Sequence, residues 1–316
     1  MTRYFTVVTV FLVAVASAHA QSTRPVRVLV ASSPGGPSDV QARLITPRMS
    51  EVLSRTLVVD NRASANGLVA TEICARAEPD GATICVGNSG THAVNATLYK
   101  KLPYDPIRDF VPITQFSTTG MVLAANPRLP GRNVQDLVAY ARQHPGQTNI
   151  AIAGATGQLA GDALWARLGI QMTDVPYKGS SPSEMAVLAG EAQISLLTPL
   201  ASARHIKSGR MKAYGITSPK RHPLLPDVPT VAEQGVAGYD FQFWNGMFAP
   251  AKTGKAQVQR FYESIRAALD TPEVKERFSQ LGLVIVGNTP EEFAQVVKTD
   301  VAKFRKIILE AGIPRL

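Results

Sequence analysis

Residues 26–60 read VRVLVASSPGGPSDVQARLITPRMSEVLSRTLVVD and predict a strand, a glycine-rich loop, a helix and a second strand. The apolar run 26–31 has the length of a buried strand, and 56–60 has the same character. Between them, apolar residues from Val40 to Leu53 recur mostly three or four positions apart, which indicates a helix. This order predicts an α/β fold in which helices cover a largely parallel sheet.

The alternation of strands and helices continues towards the C-terminus. The same criteria predict further strands at 83–86, 149–153, 173–176, 194–197 and 213–216, and further helices at 67–77, 134–143, 157–168, 182–189, 201–208, 256–270, 272–281 and 290–310. Two similar α/β units predict two lobes, each with a mostly parallel sheet flanked by helices, and a ligand cleft between the lobes. We place the first lobe at 21–126 plus 241–316, which makes it discontinuous, and the second at 127–240.

The first twenty residues predict a secretory signal peptide. Arg3 gives a positively charged start, residues 5–17 (FTVVTVFLVAVAS) are almost wholly apolar, and an Ala-His-Ala step provides a small-x-small cleavage site that ends at Ala20. The mature protein is therefore expected to begin at Gln21 and to work in the periplasm. In that compartment we expect neither nucleotide-driven chemistry nor a nucleic-acid partner, and the sequence suggests no cofactor.

The chain has 316 residues and a formal net charge of +9, and two interpretations of this charge stay open. The charge is either a solvated basic surface or a field that steers small anions into a cleft. The lysines and arginines are scattered and do not interleave with aromatic residues, which argues against nucleic-acid binding. Cys74 and Cys85 fall late in a predicted helix and in the next strand, so a disulfide and two separate thiols both stay open.

Four loops at predicted strand ends offer backbone N–H groups and hydroxyls to a ligand. The first, 32–39 (SSPGGPSD), precedes a helix, and its two glycines favour a tight turn with free N–H groups, as in an anion site. An ordinary glycine-rich turn is the alternative. The others are 87–92 (GNSGTH), 153–158 (AGATGQ) and 176–181 (PYKGSS). Because ligands of open α/β sheets bind beyond the carboxyl ends of strands, we expect all four loops to face one cleft.

Catalytic signatures are missing from the sequence, so we do not expect an enzyme. Residues 87–91 lack the last glycine of a G-x-S-x-G elbow, and the histidines have no metal-ligand spacing. His92 either contacts a ligand or bonds to the backbone around its own loop. Trp244, with Phe241 and Phe243, either lines a pocket or packs in the core.

Several motifs together resemble the Bug proteins, also called the TctC family, the secreted substrate-binding components of tripartite tricarboxylate transporters. They follow the family's order over essentially the whole mature chain: PGGPSD (34–39), VVDNRASANG (58–67), PDGATICVGNSGTHAVN (79–95), LPYDPIRDF (102–110), PYKGSSP (176–182), LPDVPTVAEQG (225–235) and WNGMFAP (244–250). The resemblance implies a two-lobed periplasmic binding protein of type II-like fold. Such a protein is expected to be a monomer that captures a mono-, di- or tricarboxylate for membrane permease subunits.

The resemblance also implies ligand contacts on both lobes. In the first lobe they fall on Ser33, Pro34, Gly35, Gly36, Ser38, Asp39, Ser89, Thr91 and His92. In the second lobe they fall on Ala153, Thr156, Gly157, Tyr177, Lys178, Gly179 and Thr198. One departure narrows the ligand class. Many relatives carry an acidic residue where this chain has Leu197, and an acid there would suit the ammonium of an amino acid, so a carboxylate without an amine is favoured.

Two other functions stay open beside the binding protein. A periplasmic ligand sensor would dock on a membrane receptor instead of a permease. A secreted serine hydrolase would use Ser89 or Ser38 as its nucleophile, and it would need a base beside that serine. The sequence shows no such arrangement.

Overall fold

The computed structural model describes residues 24–152, 155–177, 180–310, 312–313 and 315–316, and of residues 65, 155, 156, 180 and 181 it describes the backbone alone. The predicted signal peptide lies outside these ranges, and no helix within them combines the length and apolar character that a membrane crossing requires. The strands are β1 Val26–Val30, β2 Leu57–Asn61, β3 Thr83–Asn88, β4 Phe110–Gly120, β5 Val122–Ala125, β6 Asn149–Ile152, β7 Thr173–Pro176, β8 Ile194–Leu197, β9 Lys212–Ile216, β10 Gln242–Pro250 and β11 Val284–Ile285.

The helices lie close to their predicted positions, except the short helix Asn95–Leu98, which the sequence does not predict. They are α1 Pro37–Leu53, α2 Leu68–Ala75, α3 Asn95–Leu98, α4 Val134–Gln143, α5 Ala155–Leu168, α6 Ser180–Ala189, α7 Pro199–Lys207, α8 Lys255–Leu269, α9 Pro272–Gln280 and α10 Pro290–Glu310. A 3₁₀ turn at Ala65–Gly67 and a π-helical turn at Gly90–Val94 complete the set among the described residues.

The strands form two sheets within the described ranges. The first sheet has the order β11-β4-β10-β3-β1-β2, and the second has the order β7-β6-β8-β5-β9. Strands β1 to β4 share one direction, and so do β6 to β9, while β10 and β5 lie inside their sheets in the opposite direction. The predicted fold of two lobes on mostly parallel sheets is confirmed. We call the parts built on the two sheets the first lobe and the second lobe.

The two internal antiparallel strands, which the sequence analysis does not foresee, carry the chain between the lobes. Strand β4 continues through Gly120 and Met121 into β5 of the second sheet, and the segment after β9 returns as β10 of the first. Thr217 joins the crossings, because its N–H donates to Met121 O (2.9 Å) and its carbonyl accepts the Phe241 N–H (2.9 Å). Glycine is required at position 120, since a Cβ there would lie 2.9 Å from the Ser218 nitrogen.

Replacing Thr217 by valine is expected to lower the free energy of unfolding by about 2 kcal/mol. The fully buried Thr217 hydroxyl accepts the Met121 N–H (2.7 Å) and donates to Phe241 O (2.6 Å), and Thr217→Val leaves both groups without a partner. Urea unfolding measures the change. Thr173→Val is the control, because the Thr173 hydroxyl donates to Gly146 O at the exposed surface. Equal losses in the two variants would contradict this role of Thr217.

The boundaries of the lobes stay a prediction, to which the strand pairing adds one observation. Val122–Ala125 pairs with β8 and β9 of the second sheet, whereas the sequence analysis assigns these residues to the first lobe. The C-terminal helix α8 returns to the first lobe, where Phe261 and Ile265 share a core cluster with Val28 of β1. Helix α10 reaches further, because Phe304 belongs to the cluster that covers one face of the second sheet.

The aromatic residues Phe241 and Trp244, just before and within β10, are almost completely buried. Trp244 is 2 % exposed and Phe241 is 1 % exposed. The Trp244 Nε1–H donates to Asp300 Oδ2 (2.8 Å), and its ring lies edge-on to Phe293, with 5.2 Å between the ring centroids. Of the two interpretations that the sequence leaves open, core packing fits Phe241, whereas Trp244 packs in the core and also lines a cavity of about 290 Å³.

Cys74 and Cys85 are joined by a disulfide in the structure. Cys74 lies in α2 and Cys85 in β3, and their Cα atoms are 6.1 Å apart. Both residues are buried in a core cluster that also contains Tyr104 and Phe248. The bond therefore ties α2 to the strand that leads into the 87–92 loop.

Candidate ligand-binding site

The first predicted loop turns sharply at the carboxyl end of β1. Gly35 has a φ of 79°, a left-handed conformation that favours glycine. The Gly36 N–H donates to Ser33 O (2.9 Å) and closes the turn, and a Cβ on Gly36 would lie only 3.0 Å from that oxygen. As a result, Ser33, Pro34 and Gly35 are exposed at the edge of the sheet.

Asp39 holds this loop from the inside through three hydrogen bonds. The carboxylate is 2 % exposed; Oδ2 accepts the Gly35 N–H (2.8 Å), and Oδ1 accepts Arg43 Nε–H (2.9 Å) and Asn61 Nδ2–H (2.9 Å). Burial by itself raises the pKa of Asp39, but the hydrogen bonds from Arg43, Gly35 and Asn61 outweigh burial and bring the pKa below its ordinary value. Asp39 therefore stabilises the loop as a carboxylate, and its contact with a ligand stays a prediction.

Helix α1 begins directly after the glycine turn, with Gly36 as its N-cap and Pro37 in its first turn. Among the described residues no side chain caps its N-terminus; because the Gly36 N–H bonds Ser33 O and Pro37 has no N–H, the donors that its first turn offers are the N–H groups of Ser38 and Asp39. The Ser38 hydroxyl instead donates to Asn245 Oδ1 (2.8 Å) in β10. Asn245 is a site residue that the sequence analysis missed, although it lies in the quoted WNGMFAP motif.

Asn245 brings the first loop to the 87–92 loop, because it pairs with Asn88 across β10 and β3. Asn88 then shapes that loop: its N–H donates to Thr91 Oγ1 (2.9 Å), and its Oδ1 accepts the Thr91 N–H (2.9 Å). Ser89 is 1 % exposed and precedes the π-helical turn, which the Asn95 N–H closes on Gly90 O. The Thr91 hydroxyl thus serves the loop itself, while Gly90 stands at the surface of the turn.

His92 is a core residue, and the interpretation as a ligand contact is not supported by its position. Its ring is fully buried, stacked on Phe248 with 3.9 Å between the centroids and edge-on to Phe110 at 4.6 Å. Burial lowers the pKa of His92 to about 3, so the ring is neutral. The Nδ1 atom lies 2.9 Å from Thr91 Oγ1, a side chain rather than the backbone partner that was the other interpretation.

A cavity of about 160 Å³ opens at the carboxyl ends of β1 and β3. Three asparagines face it, and none of them was singled out by the sequence analysis. Gly67 has a φ of 72°, and a Cβ there would lie 2.6 Å from Thr91 Cγ2, so only glycine lets the 3₁₀ turn approach the 87–92 loop. The lining consists of Ala31, Asn66, Gly67, Asn88, Gly90, Thr91, Val94, Asn95 and Leu98.

The second lobe presents its own loops at the corresponding edge of its sheet. Tyr177 follows β7, is half-buried, and packs against the core cluster of that lobe. Thr198 is exposed after β8, and its hydroxyl accepts the Ala201 N–H (3.3 Å) as the N-cap of α7. Leu197 points into the core. Gly157 lies in the first turn of α5, close to the crossing between the lobes: a Cβ on Gly157 would lie 4.0 Å from Met121 Cε.

Four of the predicted contacts cannot be placed. Ala153, Lys178 and Gly179 lie outside the described residues, as does the side chain of Thr156. The described part of the site therefore consists mainly of the first-lobe edge, with Gly157, Tyr177 and Thr198 from the second lobe.

Comparison with known proteins identifies the chain. The family model described as the tripartite tricarboxylate transporter family receptor, TctC, matches residues 41–313. The chain belongs to the TctC family. The resemblance predicted from the motifs is thereby confirmed, and with it the membership of a family of solute-binding receptors.

Individual TctC relatives align with this chain over most of its length. A UPF0065 protein from the tcbD–tcbE intergenic region of Pseudomonas sp. (strain P51) is 36 % identical over 91 % of this chain and 86 % of the relative. Rpa4515 of R. palustris, solved with adipate, is 32 % identical with a TM-score of 0.79, over 94 % of this chain and 100 % of that one. MatC (Rpa3494) from Rhodopseudomonas palustris, solved with bound malate, is 31 % identical with a TM-score of 0.75, over 90 % of this chain and 99 % of that one.

Proposed function

We propose that this TctC protein is a periplasmic receptor, not an enzyme, that captures a small carboxylate between its lobes and presents it to the permease subunits of a tripartite transporter. The observation that carries the proposal is the first-lobe edge. There the Gly90 turn and Ala31, which follows β1, line a cavity of about 160 Å³, and the uncapped N-terminus of α1 follows the same strand after the glycine turn. Relatives with this fold hold adipate and malate, which are both small dicarboxylates.

The chemistry of this edge suits a carboxylate. Free N–H groups at a helix N-terminus carry partial positive charge and donate hydrogen bonds to anions. The one carboxylate in the first turn of α1, Asp39, is occupied by Arg43 and Asn61 and so leaves these N–H groups to a ligand. The asparagines around the cavity add uncharged amides, which can bind a ligand hydroxyl or a second carboxylate.

Closure of the lobes completes the proposed mechanism. The crossings at Met121 and Thr217 connect the two lobes. We propose the boundaries 21–126 plus 241–316 for the first lobe and 127–240 for the second, with Val122–Ala125 moved to the second. Rotation about these crossings would bring Tyr177 and Thr198 towards the first-lobe edge. Closure is favoured only by the contacts that the ligand makes in the closed arrangement. At the edge of the second lobe, Leu197 points into the core and Thr198 is uncharged, so neither residue offers a carboxylate to an ammonium group. This suits a ligand without an amine.

The hydrolase hypothesis finds no support in the contacts of its serines. Ser38 donates to Asn245, and within the part of the chain that the structure describes no histidine hydrogen-bonds Ser38 or Ser89. Neither hydroxyl therefore has the base that activates a serine nucleophile.

A thermal-shift and calorimetric screen of adipate, malate and citrate tests the proposal. Protein is first unfolded and refolded to remove any copurified ligand. A binder at one hundred times its Kd is expected to stabilise the fold by about 2.7 kcal/mol. Gly90 and Asn88 both line the cavity, and a Cβ on Gly90 would lie 3.0 Å from Asn88 Oδ1, so in Gly90→Val the affinity is expected to fall at least about tenfold, or about 1.4 kcal/mol.

Gly254→Val is the matched control for this screen, because a Cβ on Gly254 would meet no atom within 4 Å and the residue lies at the start of α8. Its affinity is expected to equal that of the unmodified protein. The proposal fails if none of the three acids binds refolded protein, or if Gly90→Val binds as tightly as Gly254→Val.

A further inference from the structure

The motif LPYDPIRDF at 102–110 contacts the 87–92 loop through two aromatic residues, Phe110, which lies edge-on to His92, and Tyr104, which hydrogen-bonds the loop backbone. The Tyr104 ring is 4 % exposed and lies beneath the π-helical turn at Gly90–Val94. Its hydroxyl donates to Thr91 O (2.8 Å) and accepts Asn95 Nδ2–H (3.2 Å). Burial raises the pKa of Tyr104 to about 12, so the hydroxyl keeps its proton and remains a donor.

The turn that Tyr104 contacts has an unusual backbone. A π-helical turn closes its backbone bond over five residues, here from the Asn95 N–H to Gly90 O, and such turns are rare and frequently found at functional sites. The turn also carries Gly90 and Thr91, which line the cavity. The hydrogen bond from the Tyr104 hydroxyl to the Thr91 carbonyl therefore restrains the position of the cavity-lining residues of the turn.

The same hydroxyl links the turn to the opposite wall of the cavity. Asn95 Nδ2 donates both to the Tyr104 hydroxyl and to Asn66 O (2.9 Å) in the 3₁₀ turn. Asn66, Asn95 and Thr91 all line the cavity. Tyr104 and Asn95 thus connect the two turns whose separation sets the width of the cavity.

The loop that bears Tyr104 is itself held in place. Asp109 Oδ2 accepts the Asp105 N–H (2.7 Å), and Asp105 Oδ1 accepts the N–H groups of Ile107 (2.9 Å) and Arg108 (2.9 Å). These bonds close a compact turn directly after Tyr104. These hydrogen bonds fix the backbone next to Tyr104, so its hydroxyl is held in place relative to the Gly90–Val94 turn.

We infer that Tyr104 is a positioning residue of the ligand site: its hydroxyl holds the Gly90–Val94 turn in the arrangement that receives the ligand. The effect of Tyr104 on ligand binding rests on the proposed function. Its structural part, the restraint of the turn, can be measured without any ligand.

Tyr104→Phe tests the inference, because it removes the hydroxyl and keeps the ring that packs against Phe110 at 5.8 Å. The matched control is Tyr239→Phe. Tyr239 is 5 % exposed, and its hydroxyl likewise donates to a backbone carbonyl, Ala160 O (3.2 Å), but in the second lobe. Each variant loses the hydrogen bond that its hydroxyl donates to a backbone carbonyl, and Tyr104→Phe also loses the bond from Asn95, so the stability losses should be of the same order.

Only Tyr104→Phe is expected to change the site. Hydrogen exchange of the amides at 89–95 should accelerate about fivefold, which corresponds to the loss of the bond to Thr91 O, and the Kd for adipate or malate should rise by a similar factor. Tyr239→Phe should leave both quantities at the values of the unmodified protein.

Unchanged exchange at 89–95 in Tyr104→Phe would overturn the inference, as would an equal change in Tyr239→Phe. If the unmodified protein binds none of the acids, the proposed function fails, and the exchange comparison still decides whether Tyr104 restrains the turn. If the acids bind equally well to the unmodified protein and to Tyr104→Phe, the positioning role fails and the proposed function stands.

Discussion

Lowering the pH from 7 to 4 is expected to reduce the free energy of unfolding by about 3 kcal/mol through His92 alone. The folded protein keeps the buried His92 ring neutral down to a pKa of about 3, whereas the unfolded chain binds a proton at the ordinary value of 6.5. Between these two values the unfolded state holds more protons, so acid favours unfolding. Stability from this group is complete above about pH 6.5 and is lost progressively as the pH falls towards 3.

Urea unfolding as a function of pH measures this effect, and His92→Phe isolates it. Phenylalanine can keep the stacking on Phe248 but cannot be protonated. Between pH 7 and pH 4 the variant is therefore expected to lose about 3 kcal/mol less than the unmodified protein, whatever the stability of each at pH 7. The His92 ring resonances should not titrate in this range in the folded protein. If the unfolding free energies of the unmodified protein and of His92→Phe changed equally with pH, the His92 ring would be protonated in the folded protein, and the prediction would be wrong.

Removing the disulfide is expected to destabilise the protein by about 3 kcal/mol. Cys74 and Cys85 are 11 positions apart, and closing this loop removes conformational entropy from the unfolded chain. The double variant Cys74→Ala, Cys85→Ala removes the bond. Because both side chains are buried, with at most 2 % exposed, lost packing adds to the destabilisation. The urea midpoint of the double variant gives the size of the change.

Reduction of the unmodified protein provides the control for this prediction. In the presence of dithiothreitol its urea midpoint should move towards that of the double variant, while the double variant itself should not respond. A double variant with the midpoint of the oxidised protein would mean that the bond does not stabilise the native state. Because α2 and β3 flank the 87–92 loop, the same samples also show whether carboxylate affinity depends on the bond.

Elements with local signals are where the sequence analysis agrees best with the structure. Helix α4 occupies the predicted residues 134–143, and Asn133 Oδ1 accepts the Asp136 N–H (2.8 Å) at its start. Helix α10 begins at Pro290, where Thr289 and Glu292 cap each other through two hydrogen bonds. These signals lie within a few residues of the elements they define, so they can be recognised without knowledge of the fold.

The candidate site could be predicted only in part, because neighbouring residues in the chain do not reveal side-chain direction. The glycine turn at 35–36 and the loop at 87–92 lie at one edge of the first sheet, as strand ends require. Asp39, however, turns inward to Arg43 and Asn61, and His92 turns inward to Phe248. Asn245 was missed because β10 is aromatic-rich and lies far along the chain from the loops that it joins.

The sequence by itself determined the α/β class, most element boundaries and the family. Periodicity, caps and ordered motifs are local properties that do not depend on how distant segments meet. Only the tertiary structure decided that β5 and β10 run antiparallel inside their sheets, that Asp39 and His92 support the site from within, and that Tyr104 holds the Gly90 turn. Each of these depends on contacts between residues that are distant in the chain, and burial and hydrogen bonding select those contacts only when the whole fold is assembled.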